Sequence, residues 1–150
     1  MVREFRLEDI DEVMQIWLIT NITAHDFIER SYWEQNYRPV SEMMPKATIY
    51  VYEQNGKIRA FVGLMDNYIA GIFVSSEYQS KGMGKALFNY CKETHRTLSL
   101  NVYKKNRRAV HFYLREGFSI TDEKMDETTG ELEYEMKWKK ITPPTETGAV

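Results

Sequence analysis

A mixed α/β fold, with about seven strands and about four helices, is predicted by three features of the chain. Residues 69–94 read as a buried strand, a polar loop with two glycines, and a helix. Residues 98–118 repeat that order, with alternating Leu98, Leu100 and Val102 followed by Ala109, Phe112 and Tyr113 on one helical face. Hairpin signals stand on either side, at Asn55-Gly56 and at Thr128-Thr129-Gly130.

The 150 residues suit one domain with a substantial core, expected over 1–140. Apolar residues are 43% and aromatics 13% of the chain, an ordinary globular balance. A formal charge of −2 gives no reason to expect nucleic acid as a partner. The single cysteine, Cys91, excludes an internal disulfide, and with three scattered histidines it makes no metal set. It is expected as a small core residue on the long helix. No apolar run approaches the ~20 residues that cross a bilayer, and the N-terminus lacks a signal-peptide core. A soluble cytoplasmic protein with no membrane partner is therefore expected.

Taken in order, residues 2–6 read as a short strand. Asp9 followed by Glu12 matches a helix-start pattern, and Ile10, Val13, Met14, Trp17 and Leu18 then form an apolar stripe. Residues 21–44 mix His25, Phe27, Ile28, Tyr32, Trp33 and Tyr37 with charges and show no long period. They are either an ordinary second helix with aromatic anchors or the wall of a pocket. Pro39 and Pro45 are expected to bracket an irregular or short helical stretch. Residues 48–52 and 58–65 flank the Asn55-Gly56 turn, and Asp66-Asn67 turns the chain into the strand of residues 68–74. Three antiparallel strands thus precede the glycine loop. The strand near 97–102 follows the long helix, so the crossover makes it parallel to residues 68–74. Residues 118–125 and 132–138 close the sheet as a hairpin, and residues from Ile141 onward read as a flexible tail.

The loop Gln79-Ser80-Lys81-Gly82-Met83-Gly84 carries the first functional signal. Glycines at a helix start let a ligand approach the backbone, and the unpaired first-turn N–H groups favour an anion such as a phosphate. The spacing excludes a nucleotide-triphosphate loop, because Gln79, five residues before Gly84, stands where its first glycine belongs and Ala86 follows Lys85. It also excludes a dinucleotide fingerprint, where Leu87 replaces the third small residue.

What fits is Q-x-x-G-x-G after a strand, followed by N-x-x-A-x-x-F-Y-x-x-x-G-F from Asn106 to Phe118. In order, spacing and separation these two blocks resemble the GNAT superfamily of acyl-CoA-dependent N-acetyltransferases, and within it a bacterial subgroup of small proteins with poorly defined acceptors. The resemblance implies the GNAT fold, acyltransferase activity, and acetyl-CoA as cosubstrate with no metal. It further implies that the two central parallel strands splay to admit the pantetheine arm. Backbone groups of Ile72, Phe73 and Val74 would pair with that arm, and one N–H there would face the thioester oxygen. Gln79, Ser80, Lys81, Gly82, Met83, Gly84 and Lys85 would hold the pyrophosphate, and Asn106 would bond the arm from the opposite side.

By its place in A-x-x-F-Y, Tyr113 resembles the family tyrosine that approaches the thioester sulfur. A phenol is neutral at pH 7 and suits donation to a departing thiolate. The base is less legible. Several relatives that acetylate proteins carry glutamate in an L-E-V setting, where this chain has Leu100-Asn101-Val102. A carboxamide takes no proton at neutral pH, so Asn101 is expected to position the acceptor or a water. Tyr68, His25 and Glu53 remain conceivable bases or relay members, and Phe27, Tyr32 and Trp33 are candidates for the acceptor wall. The acceptor is expected to be a primary amine, on a small molecule, a protein lysine or an N-terminus, attacking directly in a ternary complex. A CoA-binding sensor with little turnover is the alternative motivated by Asn101. Many family members dimerise, so the resemblance leaves a homodimer open.

Overall fold

The computed structural model describes residues 1–141, so the expected tail lies, apart from Ile141, outside the described residues. Seven strands make one sheet: β1 (Val2–Glu4), β2 (Thr48–Gln54), β3 (Lys57–Met65), β4 (Tyr68–Val74), β5 (Thr97–Tyr103), β6 (Ser119–Asp126) and β7 (Glu131–Lys139). Their order is β1-β2-β3-β4-β5-β7-β6. Four α-helices accompany them: α1 (Ile10–Ala24), α2 (Arg30–Met43), α3 (Met83–Thr94) and α4 (Arg107–Arg115). Among the described residues only β4 and β5 pair in parallel, joined by the α3 crossover; the other neighbouring pairs are antiparallel.

The helices cover both faces. Strand alternation sends Ile49, Val51 and Phe61 toward Val13, Met14 and Trp17 of α1. Ala60, Val62, Leu64, Leu98, Leu100 and Met136 pack on the other face against Leu87, Phe88 and Cys91 of α3. Cys91 is fully buried, and burial pushes its thiol up to about 12. Phe88 sits edge-on to Phe118 at 4.9 Å and ties α3 to the chain that leaves α4. Gly117, at φ 100°, ends α4, and Phe118 N–H reaches back to Tyr113 O at 3.0 Å. The hairpins stand where expected, with Asn55 at φ 55° and Gly56 at φ 75° giving the left-handed pair of a tight turn.

Two local expectations are corrected. Asp9 does not cap α1: its backbone is helical and its carboxylate points away, accepting from Arg6 N–H at 2.7 Å. A bidentate bond from Arg3, at 2.9 and 3.1 Å, outweighs what one orphan N–H could offer. Glu12 likewise accepts from Ile58 N–H, 3.0 Å away on β3. Pro39 does not delimit a helix either, because α2 runs through it. Pro39 is exposed, so water can satisfy the carbonyl that its missing N–H leaves free.

The feature that positions the site is a bulge. Gly63 pairs with Gly71 and Leu64 with Ile69, leaving Ala70 as an extra residue in β4. The parallel pairing with β5 is confined to Tyr68↔Ser99 and Ile69↔Leu100 and stops at that same point. Beyond it β4 remains bonded to β3, and β5 to β7, while the two central strands diverge.

Candidate active site

The divergence opens a cleft of about 770 Å³ between the central strands. Its β4 wall is Ala70 to Val74, whose inner backbone edge has lost its β5 partner and is left to bond whatever enters. Ile72, Phe73 and Val74, the residues expected to meet an acyl-carrier arm, all line it. Phe73 is held by stacking on Phe61, with ring centroids 4.7 Å apart. The ring also lies over Gly71, where a Cβ would come within 2.4 Å of its Cζ. Gly71 is therefore small because the cleft wall occupies its side-chain space.

The glycine loop closes one end. Ser80 and Gly82 both take left-handed conformations, at φ 64° and 84°, which turns the chain tightly into α3. A side chain at Gly82 would meet no atom of the described residues within 4 Å, which leaves open space for a ligand in front of the helix start. Gln79 Nε2 donates to Val74 O at 3.1 Å and anchors the loop to the end of β4. Gln79, Ser80, Gly82, Gly84 and Lys85 line the cleft. Met83 does not line it, its side chain being buried in the core, and Lys81 lies outside, over the Tyr78 ring at 5.5 Å. Arg108, which the sequence did not single out, brings a guanidinium to this end, bonded to Ser80 Oγ at 2.7 Å.

Tyr113 enters the cleft from α4, buried to 6% exposure, with the backbone of Ile72 bonding its phenol oxygen. Burial pushes its pKa up, so the phenol keeps its proton throughout the neutral range. Asn106 caps α4, accepting from Ala109 N–H at 3.3 Å. Its amide nitrogen lies 3.3 Å from His25 Nε2. His25 Nδ1 is 3.1 Å from Asn21 O, which can only accept, so the proton is on Nδ1 and Nε2 accepts from Asn106. The imidazole stacks on Trp33 at 5.0 Å, and burial lowers its pKa to about 4. A nitrogen that already accepts a hydrogen bond and is that weakly basic is poorly suited to take a proton at pH 7.

The opposite end, beneath α1 and α2, is aromatic. Tyr68, His25, Trp33 and Tyr103 line it together with Asn101. Asn101 Nδ2 donates to Tyr68 Oη at 3.2 Å, while its Oδ1 is buried with no partner among the described residues. Burial raises the pKa of Tyr68, so it stays neutral. Phe27 and Tyr32 stand behind this wall: Phe27 packs edge-on to His25 and Tyr103, and Tyr32 to Trp33 at 4.9 Å. Glu53 is elsewhere, bonded to Arg3 at 3.0 Å.

Residues 45–120 match the family model described as the acetyltransferase (GNAT) domain. The peptidyl-lysine N-acetyltransferase YiaC of Escherichia coli K12 is 32% identical over 143 residues, covering 94% of this chain and 98% of that protein. The chain belongs to the GNAT acetyltransferase family. The fold agrees: the solution structure of apo-form YjaB from Escherichia coli superposes with a TM-score of 0.81 at 23% identity, covering 92% and 96% of the two chains. That of yncA from Salmonella typhimurium, solved with acetyl-CoA, gives 0.66 at 13% identity and 97% of each. This GNAT protein is an acyltransferase that moves an acetyl group from acetyl-CoA to an amine, as its two sequence blocks imply.

Among the residues of the GNAT cleft that lay outside the sequence reading, Arg108, Tyr103 and Glu133 carry polar groups into its two ends. Arg108 carried no signal beyond its charge. Glu133 sits in the alternating run 131–139, where several acidic residues look alike until the sheet order is known. Placing β7 beside β5 puts Glu133 directly across from Tyr103, on the face that holds Asn101.

Proposed function

We propose that this N-acetyltransferase modifies lysine side chains of polypeptides, the ε-amine attacking the acetyl thioester while both substrates are bound. The observation that carries this reading is the continuity of the cleft. A phosphate-suited loop lies at one end, a free strand edge and a buried phenol in the middle, and an aromatic end with oxygen acceptors at the other. A long, flexible, cationic side chain suits that last end, because aromatic faces and oxygen acceptors both favour an ammonium. The name of YiaC, the relative that this chain matches over nearly its full length, supports the same acceptor.

Acetyl-CoA would supply an activated acetyl thioester. The residues present fit it: open space at Gly82, unpaired first-turn N–H groups at Met83, Gly84 and Lys85, and the guanidinium of Arg108 suit phosphates. Backbone groups of Ile72, Phe73 and Val74 not already taken by Tyr113 and Gln79 would hold the arm and offer an N–H to the developing oxyanion. Tyr113, neutral and buried, would donate its proton to the leaving sulfur. Asn106, turned by its cap and by His25, would steady the opposite side. Residues 1–140 would make up the whole catalytic unit.

The test offers three acceptors with acetyl-CoA: an N-terminally blocked lysine peptide, a lysine-free peptide with a free α-amine, and a polyamine. Mass spectrometry is expected to find acetyl on the lysine peptide. Turnover of only the α-amine or the polyamine would overturn the lysine reading. Calorimetry with Gly82→Glu, which places charge and bulk in the phosphate space, is expected to show acetyl-CoA affinity lost from a folded protein.

A further inference from the structure

Glu133 reaches the aromatic end of the cleft from β7. Its neighbours on the same strand face are occupied: Glu131 pairs with Lys105 at 3.0 Å, and Glu135 accepts from Thr121 at 2.8 Å. Among the described residues the Glu133 carboxylate has no ion pair or side-chain hydrogen bond. On the same face of β5, one register step away, Asn101 Oδ1 has no partner among the described residues. Two oxygen acceptors without donors thus line one aromatic pocket, and an ammonium brings three donors.

We propose that Glu133 receives the acceptor ammonium and takes its proton, so that β7 provides the carboxylate that position 101 of β5 lacks. This rests on the lysine reading above. Asn101 Oδ1 and the faces of Tyr68 and Tyr103 orient the ammonium, and one N–H proton passes to the Glu133 carboxylate. The freed nitrogen lone pair forms the C–N bond at the thioester carbon, and the C–S bond breaks. Tyr113 gives its proton to the leaving thiolate and regains one from the nitrogen, leaving a neutral amide and a thiol. Glu133 then releases its proton to water, and the balance closes.

The groups facing Glu133 are Tyr103 on β5, Tyr68 on β4, Tyr32 on α2, and Lys124 and Asp126 on β6. Burial raises the glutamate pKa and Asp126 adds to it, while Lys124 opposes. The three tyrosines are all shifted upward and stay uncharged near neutrality. A carboxylate moved toward neutral pH in this way is a better proton acceptor than an ordinary surface glutamate.

The deciding experiment compares the native enzyme, Glu133→Gln and Glu133→Asp at saturating acetyl-CoA. Acceptors are a lysine peptide and a matched peptide whose side chain is an aminooxy group, already neutral at pH 7. Glu133→Gln is expected to lose about 100-fold or more in kcat/KM on lysine at pH 7 and to recover as pH rises toward the lysine pKa. On the aminooxy peptide it should match the native enzyme, and Glu133→Asp should recover part of the lysine activity. Calorimetric affinity for acetyl-CoA should be unchanged in both variants. Lysine activity of Glu133→Gln within threefold of native, or an equal loss on both peptides, would overturn the proposal. If the native enzyme acetylates a polyamine or an α-amine instead, the lysine reading fails, and the same comparison on that amine decides the role of Glu133.

Discussion

His25 Nε2 and Asn106 Nδ2, 81 residues apart in sequence, meet at 3.3 Å and fix each other's orientation. Asn106 Oδ1 is taken by the α4 cap and His25 Nδ1–H by Asn21, so neither ring nor amide can turn over without losing a bond. This contact ties the end of α1 to the start of α4 and orients the imidazole, which burial keeps neutral.

A pH dependence of stability follows. The folded-state pKa of His25 is lowered from 6.5 to about 4 by burial, whereas the unfolded chain protonates it near 6.5. Above pH 6.5 both states are neutral and the group contributes no slope. As pH falls from 6.5 toward 4 only the unfolded state gains the proton, and stability should drop by on the order of 3 kcal/mol. Asp9 and Asp126 have lowered pKa values and lose their stabilising charge only below this window. Urea midpoints between pH 7.5 and 4.5 should therefore fall for the native protein and stay much flatter for His25→Gln.

Tyr113→Phe keeps the buried ring and removes only the hydroxyl. It should lower kcat by roughly 10²- to 10⁴-fold, with the acetyl-CoA dissociation constant changed less than about threefold. Single-turnover kinetics locate the loss in the chemical step. An unchanged single-turnover rate would remove the phenol from the acid role.

Gly71→Ala tests the wall of the cleft. The added Cβ would lie 2.4 Å from Phe73 Cζ, so the ring must leave its stack on Phe61 and move. The variant should lose about 1–3 kcal/mol of stability and bind acetyl-CoA at least tenfold more weakly. Denaturant titration and calorimetry measure the two effects separately.

Arg3, Asp9 and Glu53 form a largely buried ion triad at the β1 side of the sheet, away from the cleft. Arg3→Ala leaves Asp9 desolvated without its partner and should cost about 3 kcal/mol. Glu53→Gln, in contrast, should leave kcat and both KM values unchanged, because Glu53 serves Arg3 rather than the acceptor.

Much of the fold was legible because its signals are local. Asn55-Gly56 announces a turn by backbone sterics, and the run from Ile69 to the loop, then Met83 to Cys91, shows its change of period within a few residues. Asp9 and Pro39 were misread for the complementary reason: Arg3 and solvent, rather than adjacent backbone, decide what those residues do. Trp33 was legible as a candidate for the acceptor wall, but nothing local distinguished it from Phe27 and Tyr32, which stand behind it.

The sequence by itself determined the GNAT family, the phosphate-suited loop and the phenol at Tyr113, since each is a spacing pattern along one stretch of chain. Tertiary structure decided what meets across the cleft. The bulge at Ala70 parts β4 from β5, the sheet order sets β7 beside β5, and Glu133 arrives opposite Tyr103, on the face that holds Asn101. The physical reason is that a carboxylate's neighbours are chosen by strand register and burial, both of which join residues far apart in the chain.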